Sequence, residues 1–180
     1  MRPESLALAF ALVFAGAGLS FAATPAEEAR RCVQLVNARS DLEQAVGHCT
    51  RAIGSRAFKG INLAPLYYNR GWAQDELGNR QAAVEDYSSA IKIQPDFLQA
   101  YVARGYAQMV EGALSEAIED FSLVLRVDPD VFVARFNRAL AYERLGERDL
   151  AAADFRKAAV LQPDNPRLKQ ILEQLEWQAQ

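Results

Sequence analysis

Histidine occurs once in this sequence, and cysteine and methionine twice each, a scarcity that excludes most chemistry at the outset. His48 alone cannot build a histidine-based metal site, and no set of ligands falls at metal-binding spacing. HExxH, GxSxG and glycine-rich phosphate-loop patterns are all missing, so no enzyme, cofactor or metal is expected. An excess of one charge is missing too. The 20 Lys and Arg residues stand against 23 Asp and Glu, a formal net charge of -3, and no run of lysines and arginines appears. A nucleic-acid footprint and docking to an anionic membrane surface are therefore not expected.

What the chain does have is repetition. With 51% apolar residues over 180 positions it can bury a core, and nothing in it calls for more than one domain. The stretch Leu66 to Pro95 recurs after a shift of 34 positions, which lays Gly71 on Gly105, Gly78 on Gly112, Ala83 on Ala117, Tyr87 on Phe121 and Pro95 on Pro129. A second shift brings in Ala139, Gly146, Ala151, Phe155 and Pro163. Each unit reads as two helices. Small residues let the helices approach, the aromatic fills the space between them, a glycine makes the turn, and the proline stops the second helix. A unit that cannot bury its own apolar face must stack on neighbours.

These residues resemble the tetratricopeptide repeat, with a small residue at position eight, alanine at twenty, an aromatic at twenty-four and proline at thirty-two. The resemblance implies an all-α fold, an α-solenoid of antiparallel helix pairs. Three copies span residues 64–97, 98–131 and 132–165, and residues 166–180 form a capping helix with Leu168, Ile171, Leu172 and Leu175 on its apolar face. An amphipathic helix for a partner is the other reading of that last segment.

Each copy has an arginine at position seven and an aspartate at position twenty-three. The pairs Arg70 with Asp86, Arg104 with Asp120 and Arg138 with Asp154 are expected to join the two helices as structural ion pairs, because a lone buried charge would be costly. A ladder of arginines for an anionic ligand is the alternative.

In the family, first helices line the concave face. Carried onto this sequence, the resemblance implies a peptide-binding surface of Tyr68, Trp72 and Asp75 in the first copy, Val102, Tyr106 and Met109 in the second, and Phe136, Leu140 and Glu143 in the third. That is an apolar and aromatic groove edged with carboxylates, suited to a peptide with apolar anchors. Packing of these residues within the array or against a second copy of the chain is the competing account. The clamp used by relatives that hold acidic chaperone C-termini has lysine and asparagine where this chain has Tyr68 and Trp72, so that ligand is not expected.

The N-terminal part departs from the pattern. Arg2, an apolar run from Leu6 to Phe14 and the pair Ala22 and Ala23 read as a cleaved signal peptide over residues 1–23, with an uncleaved anchor as the alternative. Residues 24–60 read as a degenerate helical hairpin, Ala26 to Asn37 followed by Asp41 to Ile53, in which Cys49 falls at the core aromatic position. Cys32 falls opposite it. In an oxidising compartment the two are expected to form a disulfide closing a loop of about 16 residues, for which chain entropy gives about 3 kcal/mol. A reactive cysteine assisted by His48 is the rival, weakened by the absence of any CxxC. The connection from Ile53 to Leu66 reads as an exposed loop, with Asn62 as the next helix's cap.

Together these readings predict a non-catalytic protein-interaction scaffold, an adaptor or assembly factor, that binds a peptide segment or protein partner on its concave face. The likeness to small exported bacterial repeat proteins implies the periplasm. A self-associating structural homo-oligomer, its groove filled by its own copy, is the second hypothesis.

Overall fold

A computed structural model describes residues 22–178. The expected leader, residues 1–23, lies outside them except for its last two positions. Nine α-helices follow one another among the described residues: α1 (Pro25–Ala38), α2 (Leu42–Gly54), α3 (Ala64–Glu76), α4 (Arg80–Ile93), α5 (Leu98–Glu111), α6 (Leu114–Val127), α7 (Phe132–Leu145), α8 (Arg148–Leu161) and α9 (Pro166–Gln178). Each helix packs on the next. The first helices of successive pairs also touch, α1 on α3, α3 on α5 and α5 on α7, with no comparable contacts linking α2, α4, α6 and α8. An array that is closer on one side than the other curves, and its inner face is built from α3, α5 and α7.

The repeat signature explains how each pair closes. Tyr87, Phe121 and Phe155 are fully buried between their two helices. A Cβ placed on Gly105 would lie 3.0 Å from Cε1 of Phe121, so the ring occupies the space a larger residue would need. The turn out of α5 needs a left-handed residue and has Gly112 at φ 88°. Its N–H donates to the Met109 carbonyl at 3.2 Å, and the Ala113 N–H donates to that of Gln108 at 2.9 Å, which satisfies carbonyls the helix leaves free.

A ladder of charged bonds runs through the stack. Arg70 donates from Nε and Nη2 to Asp86 at 2.8 and 2.7 Å, and Arg104 does the same to Asp120. Arg138 pairs likewise with Asp154, which also takes a bond from Arg135 at 3.3 Å. The third nitrogen of each arginine reaches into the preceding pair. Arg70 donates to Thr50 Oγ1 at 3.2 Å, Arg104 to Ser88 Oγ at 3.0 Å and Arg138 to Ser122 Oγ at 2.9 Å. Each guanidinium therefore fixes its own helix pair and the register of that pair on its predecessor.

The first pair reaches the same shape by other means. Thr24 caps α1 reciprocally with Glu27, and the bond from the Thr24 N–H holds the Glu27 carboxyl below its ordinary pKa. Cys32 and Cys49 are joined, with Cα atoms 5.0 Å apart. The turn is made by Arg39 at φ 49° rather than by glycine, and Cys32 stands seven residues before it, as Gly71 stands seven before Gly78. Cysteine thus takes the place of both small residue and aromatic.

Two details of the connection to α3 differ from expectation. Asn62 does not cap α3, because the chain enters through a 3-10 turn, Gly60–Leu63, and Leu63 is already helical in backbone angle. Nor is the connection wholly exposed. Phe58 and Leu63 pack against the cluster of Cys32, Cys49, Ala52 and Leu66, extending the small core around the disulfide.

Candidate functional site

Curvature leaves a groove on the inner face. Its cavity, about 620 Å³, falls within the range of ligand pockets and is walled by α3 and α5, with the connection from α6 to α7 at its far end. Of the residues expected from sequence, Tyr68, Trp72, Asp75, Val102 and Tyr106 line it. Tyr106 is 45% exposed in that largely apolar wall. Tyr68 is held by its neighbours, its ring centroid 5.8 Å from that of Tyr87 and 5.1 Å from that of Phe97. Burial pushes the Tyr68 and Tyr87 hydroxyls up from their ordinary pKa, so both stay neutral in any physiological medium. Trp72 lies beneath the Arg39 guanidinium, 5.4 Å from ring centroid to Cζ.

The carboxylate edge begins at Asp75. Its side chain is 16% exposed and lies 3.5 Å from Nε of Arg80. Burial holds the Asp75 carboxyl above the usual aspartate range, and Arg80 offsets only part of that cost. Glu76 and Asp128 also line the groove, and Asp128 accepts the Asp130 N–H at 3.0 Å.

The remaining expected residues lie elsewhere. Met109 is 4% exposed and belongs to the core around Phe121, with the Arg144 guanidinium on its carbonyl at 2.8 Å. Phe136 is also buried, its centroid 5.7 Å from both Phe132 and Phe155, and Arg167 from α9 lies over its ring at 5.0 Å. Leu140 packs between the second and third cores, and Glu143 is exposed outside the groove. The cause is α9. Its Leu168 is buried against α7 and α8, and its start is fixed by Asn165 Oδ1, which accepts the N–H groups of Arg167 and Leu168. Where a further repeat would extend the groove, the last helix covers it. Gln99, Val131, Val133 and Asn137 complete the lining instead, of which Gln99 and Val133 hold second positions in their repeats.

The fold and groove define an α-solenoid of stacked helix pairs. Residues 64–97 and 132–165 each match the tetratricopeptide repeat, and the chain is a tetratricopeptide-repeat protein, built on a scaffold whose general use is protein–protein interaction. No curated protein matches it in sequence. Among solved structures it is similar to MamA, at 22% identity and TM-score 0.71 over 78% of this chain and 79% of that one. It is also similar to YrrB, described as a TPR protein with an unusual peptide-binding site, at 20% identity and TM-score 0.75 over 83% of this chain and 75% of that one. The TPR domain of Arabidopsis OM64 is 28% identical, with TM-score 0.61, over 64% of this chain and 95% of that domain. No helix among the described residues is long and apolar enough to cross a membrane.

Proposed function

We propose that the protein is a non-catalytic adaptor or assembly factor of the periplasm that binds a peptide segment of a partner in the groove lined by Tyr68, Trp72, Asp75, Val102 and Tyr106. The observation that carries this reading is the half-exposed Tyr106 in an aromatic and apolar cavity of about 620 Å³. A rigid wall with an unpartnered aromatic favours a ligand that brings its own apolar anchor. YrrB, a similar structure, is described as having a peptide-binding site. Export is supported by the leader-like residues 1–23 and by the Cys32–Cys49 disulfide, a bond stable in an oxidising compartment. Cleavage after Ala23 would leave Thr24 free to cap α1, so amino-terminal sequencing of exported protein should begin at Ala23 or Thr24.

The groove is tested by panning a random peptide library on the purified mature chain, with a folded Tyr106→Ala variant as counter-selection. Enrichment on the wild type alone supports the reading. Absence of enrichment, together with a concentration-dependent oligomer that Tyr106→Ala dissolves, would show a groove filled by the protein's own copy.

A further inference from the structure

The charges lining the groove are all of one sign. Asp75, Glu76 and Asp128 contribute carboxylates, and no lysine or arginine shares the lining. Two cations stand near it. Arg80 lies 3.5 Å from Asp75 and 3.9 Å from Glu111, so one guanidinium is divided between two carboxylates. Arg39 lies over the Trp72 ring, in a small adjoining recess that shares Tyr68 and Trp72 with the groove. Asp75 is thus a mostly buried carboxylate short of positive charge, which agrees with the upward push on its pKa from burial.

Carboxylates beside exposed aromatic rings receive an ammonium or guanidinium in two ways, through the ion pair and through the ring face. We infer that the occupant is a cationic peptide segment, with lysine or arginine side chains beside an apolar or aromatic anchor. Asp75 and Glu76 take the cation, while Tyr68, Val102 and Tyr106 take the anchor. The inference rests on the reading of this cavity as a peptide groove and adds the sign of its ligand. An acidic segment would set like charges against each other in a partly desolvated site, a juxtaposition that interfaces avoid.

Three fluorescent peptides with one shared core of leucine and phenylalanine, and flanks of lysine, serine or glutamate, separate the two claims by anisotropy titration. The lysine-flanked probe should bind most tightly and the glutamate-flanked probe least. Asp75→Asn should weaken the lysine-flanked probe by about tenfold and the serine-flanked one by clearly less. Glu147→Gln, a charge control outside the groove, should leave all three unchanged, whereas Tyr106→Ala should weaken all three. Equal affinity for the three flanks, or an Asp75→Asn loss no larger than that of Glu147→Gln, would overturn the charge inference. If Tyr106→Ala still weakens every probe in that event, the peptide groove stands without it. If Tyr106→Ala weakens none, the groove reading fails and the inference with it.

Discussion

The first helix pair and the three that follow have the same outline and few of the same bonds. In the repeats a buried aromatic fills the gap between helices, an Arg–Asp pair crosses it and glycine makes the turn. In the first pair a disulfide fills the gap and Arg39 makes the turn. The ion pair is reversed as well. His48 holds the place of Asp86, and its Nδ1 lies 2.5 Å from Glu28 of α1, while Arg51 Nε lies 3.0 Å from the same carboxylate. The acid has moved to the first helix and the bases to the second. What is preserved is the requirement that each gap be filled and each crossing charge be paired, not the identity of the residues that do so. Among the described residues the first pair has a stacking neighbour on one side only, and a covalent bond suits that place.

The sharpest way to break this comparison is to remove the same residue type from both regions. Arg104→Ala leaves Asp120 buried without its partner and should cost about 3 to 5 kcal/mol. Arg31, which precedes the Arg39 turn by the same eight residues as Arg70 precedes Gly78, is exposed on α1. Its replacement by alanine should change stability by less than about 0.5 kcal/mol. Urea titrations of the two variants measure the contrast, and equal losses would abolish it.

Next in size is the disulfide. Cys32→Ser with Cys49→Ser should cost about 3 kcal/mol, and a reductant should destabilise the wild type but not the double variant. A smaller effect falls on the ladder between pairs. Ser88→Ala removes the hydroxyl that accepts from Arg104 and should cost about 1 kcal/mol, read as a shift in midpoint without a change in slope.

The last test uses pH. Bonds from Arg51 and His48 hold the Glu28 carboxyl below its ordinary value of 4.5. A carboxyl with a lowered folded pKa contributes stability above its unfolded value, and the contribution is lost as pH falls through the folded one. The stability difference between wild type and Glu28→Gln should therefore close as pH falls below 4.5. A difference that persists undiminished in strong acid would show that the loss is one of packing.

Much of this architecture was legible in the sequence because the aromatic, alanine, glycine and proline positions recur at one period and each has a packing reason. The groove was legible only in part. Counting positions along first helices reaches Tyr68, Trp72, Asp75, Val102 and Tyr106, where one helix neighbours the next. It fails at Phe136, since the cover of α9 depends on how the last helix docks, which no periodicity encodes. It also passes over Val131, which enters the lining through the bend between α6 and α7. The hydroxyls of the ladder carry a positional signal of their own in the sequence. Thr50, Ser88 and Ser122 each follow the core position wherever another pair stacks on, and the last pair, which has no such successor, has Arg156 there instead.

The central claim is that the inner face made by α3 and α5 is the binding surface. Backbone hydrogen exchange, measured on the mature chain with and without the lysine-flanked probe, tests it most directly. The account predicts added protection in α3 and α5, centred near Trp72 and Tyr106, with α4 and α6 unchanged on their outer faces. Protection confined to α2, α4 or α6, with α3 and α5 exchanging as before, would contradict it.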